Sequence, residues 1–87
     1  SLLINELVVR KENVSKILIL ISKRGELVNA SARSRDDKVD CNWLMREAIK
    51  GIPNSDGGGH RPAAAATIPA EYLNDFKKNL LRLLGKK

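Results

Sequence analysis

Chemistry is easiest to place in the segment Asp56-Gly57-Gly58-Gly59-His60-Arg61-Pro62 of this 87-residue chain. Three consecutive glycines lose more backbone entropy on ordering than any other tripeptide, so a folded domain keeps them ordered mainly where special dihedrals or close approach are required. Successive backbone amides of such a turn can form a concave anion site, and His60 and Arg61 add side-chain donors beside it. On that reading the segment grips a phosphate. The competing reading is a flexible connector between a helix and a strand, and the residues by themselves leave both open. The nucleotide-binding motifs do not apply: no Gly-Lys-Ser/Thr follows, and the glycines lack the spacing of a dinucleotide fingerprint. If the loop binds phosphate, a β-carbon at Gly58 is expected to obstruct the ligand while leaving the fold intact.

Other chemistry has less material. The chain holds one histidine, His60, and one cysteine, Cys41. Neither a zinc site nor an internal disulfide can be built from them, and no metal site is expected in this chain. Cys41 reads as a small buried apolar residue. Nothing in the spacing fixes a nucleophilic triad of Ser34, His60 and Asp56, and none is expected.

The elements that must position these residues follow from periodicity. Leu2 to Arg10 fits either helix or strand, and Val8-Val9 tilts it to strand. Ile17 to Ile21 is an apolar run of the kind a strand shows when both faces are covered, so it is expected at the centre of a sheet. Lys23-Arg24-Gly25-Glu26 supplies a turn, and from Leu27 the chain alternates as the return of a hairpin. Val28, Ala30 and Ala32 form one face. Leu27, Asn29, Ser31 and Arg33 form the other.

Arg35-Asp36-Asp37-Lys38 reads as a polar connector, and Asp40 stands where an N-cap belongs. Cys41, Leu44, Met45, Ala48 and Ile49 then make one helical stripe, closed by a left-handed Gly51. Trp43 lies just off that stripe and is expected in the core, with stacking on a base as the alternative. Ile52 to Pro62 reads as a loop and Ala63 to Ile68 as a strand, since six residues between two prolines are too few for a stable helix. From Pro69 a last helix carries Leu73, Phe76, Leu80, Leu83 and Leu84 to Gly85. The expected fold is α/β, a single domain in which helices pack on a small mixed β-sheet.

Composition narrows the classes. At 9.6 kDa the chain supports one core. Its 43% hydrophobic and 30% charged residues suit a globular domain, and its longest apolar run is far below the roughly 20 residues of a membrane span. No secretory leader is visible, and the lone cysteine fits a cytoplasmic setting. The chain opens on Ser1-Leu2-Leu3 and is expected to be a piece of a longer protein. A net charge of +6 and a pI near 9.8 make a phosphate or nucleic-acid partner worth testing. Lys77, Lys78, Arg82, Lys86 and Lys87 cluster at the end, and this basic tail reads as a solvated face at a helix C-terminus.

Gly57-Gly58-Gly59-His60, followed by Ala63-Ala64-Ala65 and Thr67-Ile68-Pro69 and preceded by Ser31-Ala32-Arg33-Ser34, resembles the DHH-associated domain of DHH-family phosphoesterases. The resemblance runs from about Ile17 to Leu84, and Arg46-Glu47-Ala48 is similar to the helix end that precedes this loop in RecJ-like single-strand nucleases. It implies a C-terminal substrate-binding module spanning residues 1–87, with the catalytic DHH domain absent from the chain. In the family that N-terminal domain holds a manganese pair and the associated domain closes over the substrate. The resemblance assigns substrate binding to Gly57, Gly58 and Gly59 through backbone contacts, to His60 as a phosphate donor, and to Arg33 and Ser34 as nucleotide contacts. Arg61-Pro62, and Ala66 where a glycine is common, depart from the family's usual pattern.

The function implied is that of a nucleic-acid- or phosphate-binding part of a manganese-dependent exonuclease or oligonucleotide phosphodiesterase. No hydrolysis is expected from this chain alone. Its partners would be a single-stranded or short oligonucleotide and the DHH domain, with no membrane. The alternatives are a stand-alone RNA-binding domain that clamps a backbone with its glycines, and an oligomerisation or regulatory module in which the loop is incidental.

Overall fold

Alternation and turns give the described residues five strands and two helices. The computed structural model describes residues 3–10, 16–34 and 39–85, with residues 3–10 and 16 described by backbone alone. Strand β1 is Leu3–Arg10, β2 Lys16–Arg24, β3 Leu27–Ser34, β4 Asp56–Gly59 and β5 Ala63–Pro69. Helix α1 is Cys41–Ala48, and a 3-10 turn, Ala70–Tyr72, leads into α2, Leu73–Gly85. The connector at residues 35–38 and the last two lysines lie outside the described residues.

The strands form one sheet in the order β1-β2-β3-β5-β4. The α/β arrangement, with helices on a small sheet, is as expected. The mixture of strand directions is not, because all four pairings are antiparallel. The cause is β4, which the reading of Ile52 to Pro62 as a loop missed. A strand-helix-strand passage from β3 through α1 directly to β5 would give a parallel pair. Instead the chain crosses from β3 through α1 to β4, then reverses through a hairpin, and β5 slots between them. β4 and β3 thus run the same way but never touch.

Register explains the core. Ile21, Ala30, Ala66 and Gly57 stand in one row across the sheet, and Ile19, Ala32, Ala64 and Gly59 in the next. Side chains shrink along each row, from isoleucine through two alanines to glycine. The helices lie on this face, α1 over β4 and β5. The apolar members of these rows join Leu44, Met45, Ala48, Ile68, Phe76 and Leu80 in a single buried cluster. A β-carbon at Gly57 would stand 3.2 Å from both the Met45 carbonyl oxygen and Ala66 Cβ. The taper is therefore what lets α1 seat directly on backbone. Ala66 fits because Gly57 stands opposite it.

Among the described residues the other face carries no helix. Leu27, Asn29 and Arg33 are exposed there as the alternation required, and Thr67 Oγ1 bonds Asn29 Oδ1 across β5 and β3 at 2.9 Å. Leu20 is 39% exposed on that face. β2 is accordingly covered on one face only, and β3, not β2, is the central strand. Isoleucines at 17, 19 and 21 face the helices, and the leucines between them face out.

Gly25, with φ +61°, turns the β2–β3 hairpin, and the Glu26 carbonyl accepts the Ala70 amide at 2.8 Å, tying the start of the last helix to that turn. Asn79 Nδ2 donates to the Ala48 carbonyl at 2.9 Å, which satisfies a helix-end acceptor of α1 from α2.

Two neighbouring alanines test the taper. Ala66→Val should lower unfolding stability by about 1–3 kcal/mol, because extra methyls have no room between α1 and β4. Ala65→Val, one residue away on the open face, should change stability by less than about 0.5 kcal/mol or raise it slightly. Denaturant titration of the two variants checks the contrast.

Candidate functional site

The glycine run is a strand, not a turn. Gly57, Gly58 and Gly59 pair with Ala66, Ala65 and Ala64 at the sheet edge. The expected concave nest of amides is not formed, since an extended strand turns successive N–H groups to opposite sides. His60 N donates to the Ala63 carbonyl at 2.8 Å and Ala63 N donates back at 3.2 Å, closing the hairpin. That leaves Gly59 and Ala64 as a non-bonded pair, so the Gly59 amide points away from β5. It donates instead to Asn42 Oδ1 at 3.0 Å.

The hairpin tip is fastened on two sides. Ser34 N, at the end of β3, donates to the Pro62 carbonyl at 3.1 Å, and Cys41 N, at the start of α1, donates to the Arg61 carbonyl at 2.8 Å. Asp40 performs two tasks. One carboxylate oxygen caps α1 by accepting the Trp43 amide at 3.1 Å, as its position in the sequence predicted. The other meets Arg61 Nη1 at 3.4 Å. Arg61 is thereby a fastener of the tip.

These bonds gather the residues that the sequence nominated. Arg33 stands opposite Ala63 in the register and is exposed; Ser34 follows it, half-buried; His60 is exposed at the tip. Among the described residues no carboxylate pairs with Arg33. The three lie at one end of the sheet with Gly59 beside them. Asp56 lies at the opposite end of β4, about 13 Å of strand from His60, which excludes a Ser34-His60-Asp56 triad.

Glycine at the edge has a steric cause independent of any ligand. Gly58 has φ +150° and Gly59 +153°, both unfavourable for other residues. A β-carbon at Gly58 would stand 3.2 Å from Asn42 Oδ1, and one at Gly59 only 2.7 Å from Ala64 Cα. Gly58 is therefore not a tolerant loop position, and Gly58→Val would disturb the fold along with any ligand.

Three further residues emerge from the packing. Asn42 holds Gly59 and had no motif to announce it. Trp43 is 45% exposed rather than part of the core. At about 100° per residue it lies roughly 200° around α1 from Cys41, on the outer side with Arg46, so the helical wheel carried that signal. Cys41 is fully buried, and burial foremost, then the charge of Asp40, pushes its thiol pKa above the usual value despite a backbone hydrogen bond at Ser34. It has no thiolate chemistry to offer. Among the described residues no three His, Cys, Asp or Glu side chains converge as metal ligands.

Residues 3–86 match the DHHA1 domain family. No curated protein gives a significant match.

The two tasks of Asp40 are separable. Asp40→Ala should cost about 1–2 kcal/mol of stability through the lost cap. Asp40→Asn keeps an acceptor for Trp43 N and should recover most of it, the remainder being the half-exposed pair with Arg61, under about 1 kcal/mol. Thermal melts of both variants measure the split.

Proposed function

The chain belongs to the DHHA1 domain family, the DHH-associated domain of DHH-family phosphoesterases, and from that premise we propose that it is the substrate-closing module of such an enzyme, holding a phosphate of a nucleic-acid strand at the tip of the β4–β5 hairpin. DHHA1 domains usually sit with an N-terminal DHH domain. The observation that carries the reading is that the backbones of Arg33, Ser34 and His60 are brought to one sheet end and fixed there by hydrogen bonds, with Arg33 and His60 exposed.

On this reading Arg33 supplies a fixed positive charge and His60 an N–H donor, while Ser34, turned by the alternation of β3 to the helix-bearing face, offers its hydroxyl from that side. The glycines add no side chains of their own to this edge, although the Gly59 amide is already engaged by Asn42. These residues bind and orient; none of them activates water. The manganese pair belongs to the DHH domain, and the described residues of this chain offer no set of ligands that fits it. The substrate proposed is a single strand or short oligonucleotide, as in RecJ-like exonucleases and oligonucleotide phosphodiesterases, in a cytoplasmic setting that fits a single buried thiol. Among the described residues no helix is long and apolar enough to cross a membrane. No observation favours the stand-alone RNA clamp, since the glycines form a paired edge strand.

Two measurements test this. The chain by itself should hydrolyse neither oligonucleotides nor a chromogenic phosphodiester in manganese or magnesium, and turnover that survives repurification and is lost in His60→Ala would overturn the division of labour. Its affinity for a short single strand should fall with salt at a logarithmic slope of about −0.7 per phosphate neutralised, so roughly −1.5 to −3 in all. Arg33→Ala should flatten that slope, and an affinity indifferent to salt would remove the phosphate grip.

A further inference from the structure

Alongside the hairpin tip runs a groove between the outer face of α1 and the β4 edge, lined among others by Asn42, Trp43, Arg46, Lys50 and Gly57. Its acids are already engaged. Glu47 pairs with Lys50 at 2.9 Å, and Asp40 accepts from the Trp43 amide and from Arg61. Among the described residues Arg46 has no carboxylate partner, and it stands one helical turn from Trp43. The groove thus presents a large exposed indole beside an unneutralised guanidinium, with a floor of glycine backbone that adds no side chain.

The helix that carries both groups is tied to the tip. Trp43 sits in the first turn of a capped helix whose Cys41 amide is bonded to Arg61 and whose Asn42 is bonded to Gly59. Cys41 and Asn42, the two residues before Trp43, are thus bonded to Arg61 and Gly59, the residues on either side of His60.

We propose that Trp43 and Arg46 form a nucleobase subsite, in which the indole stacks on an unpaired base of a single-stranded oligonucleotide and the guanidinium meets the adjoining phosphate. The subsite rests on the phosphate-binding reading of the hairpin and extends it. Stacking on an aromatic face is tolerant of sequence because every base has such a face, so this subsite selects unpaired strands without selecting their sequence. A duplex keeps its bases stacked on one another and offers none to the indole.

The test uses the 87-residue chain, an octamer of deoxythymidine and an abasic octamer with the same phosphates. Trp43 is the only tryptophan, so its fluorescence reports the contact directly. The thymidine octamer should quench it and bind roughly 5- to 100-fold more tightly than the abasic one. Trp43→Ala should erase that difference while leaving abasic affinity and melting temperature unchanged, and Trp43→Phe should restore part of it. His60→Ala should weaken both octamers alike. An unchanged ratio of the two affinities in Trp43→Ala overturns the subsite, and the exposed indole would then suit a protein surface. Abasic binding that ignores His60, beside a base-dependent increment that needs Trp43, overturns the phosphate grip and keeps the subsite. Absence of binding to either octamer overturns both.

Discussion

The close seating of α1 on the backbone of β4 and β5 is the contact on which the rest of this domain depends. It is made possible by rows of side chains that diminish from isoleucine to glycine towards the sheet edge. With the helix that near, Met45 and Ile49 lie against Gly57, and Asn42 reaches the Gly59 amide. An eight-residue helix would be marginal in isolation. Here the sheet supplies the packing that holds it, and the helix in turn fixes the β4 edge.

The same seating determines how the candidate site is held. β3 ends, α1 begins and the β4–β5 hairpin turns at one place, and three backbone carbonyls, of Arg61, Pro62 and Ala63, accept the amides that join them. The backbone is fixed through its own polar groups, and among the described residues the side chains of His60 and Arg33 have no ion-pair partner. Asp40 and Arg61, in contrast, are consumed in holding the tip. Charge near a site is thus a poor guide to ligand contact unless the partners of each charge are followed.

Most of the fold was legible because its signals are local. The alternation of β3, the Asp40 cap, the apolar stripe of α1 and the leucines of α2 each carry their own period. Strand β4 was not legible, because Asp56-Gly57-Gly58-Gly59 has no side-chain alternation and its glycines imitate a loop; only pairing with β5 makes it a strand. The strand directions went with it, since overlooking β4 turned a split crossover into a simple one. β2 misled through composition: Leu18 and Leu20 are as apolar as the isoleucines between them, so one-sided burial left no trace. In the site, the residue types were legible from the motif and the resemblance, whereas Asn42 entered only through a contact between elements 17 residues apart.

The insertion of β5 between β3 and β4 also separates local from long-range pairing in the sheet. The β1-β2-β3 meander is built from neighbouring segments and can close by short loops. The β3–β5 pairs join positions such as Ala32 and Ala64, whose loop closure is far more demanding entropically. His60 comes to lie at the same sheet end as Arg33 only when that ladder closes. A chain halted at the meander would hold much of the sheet and none of the ligand-facing end, so competence to bind is a property of the closed topology and not of local order.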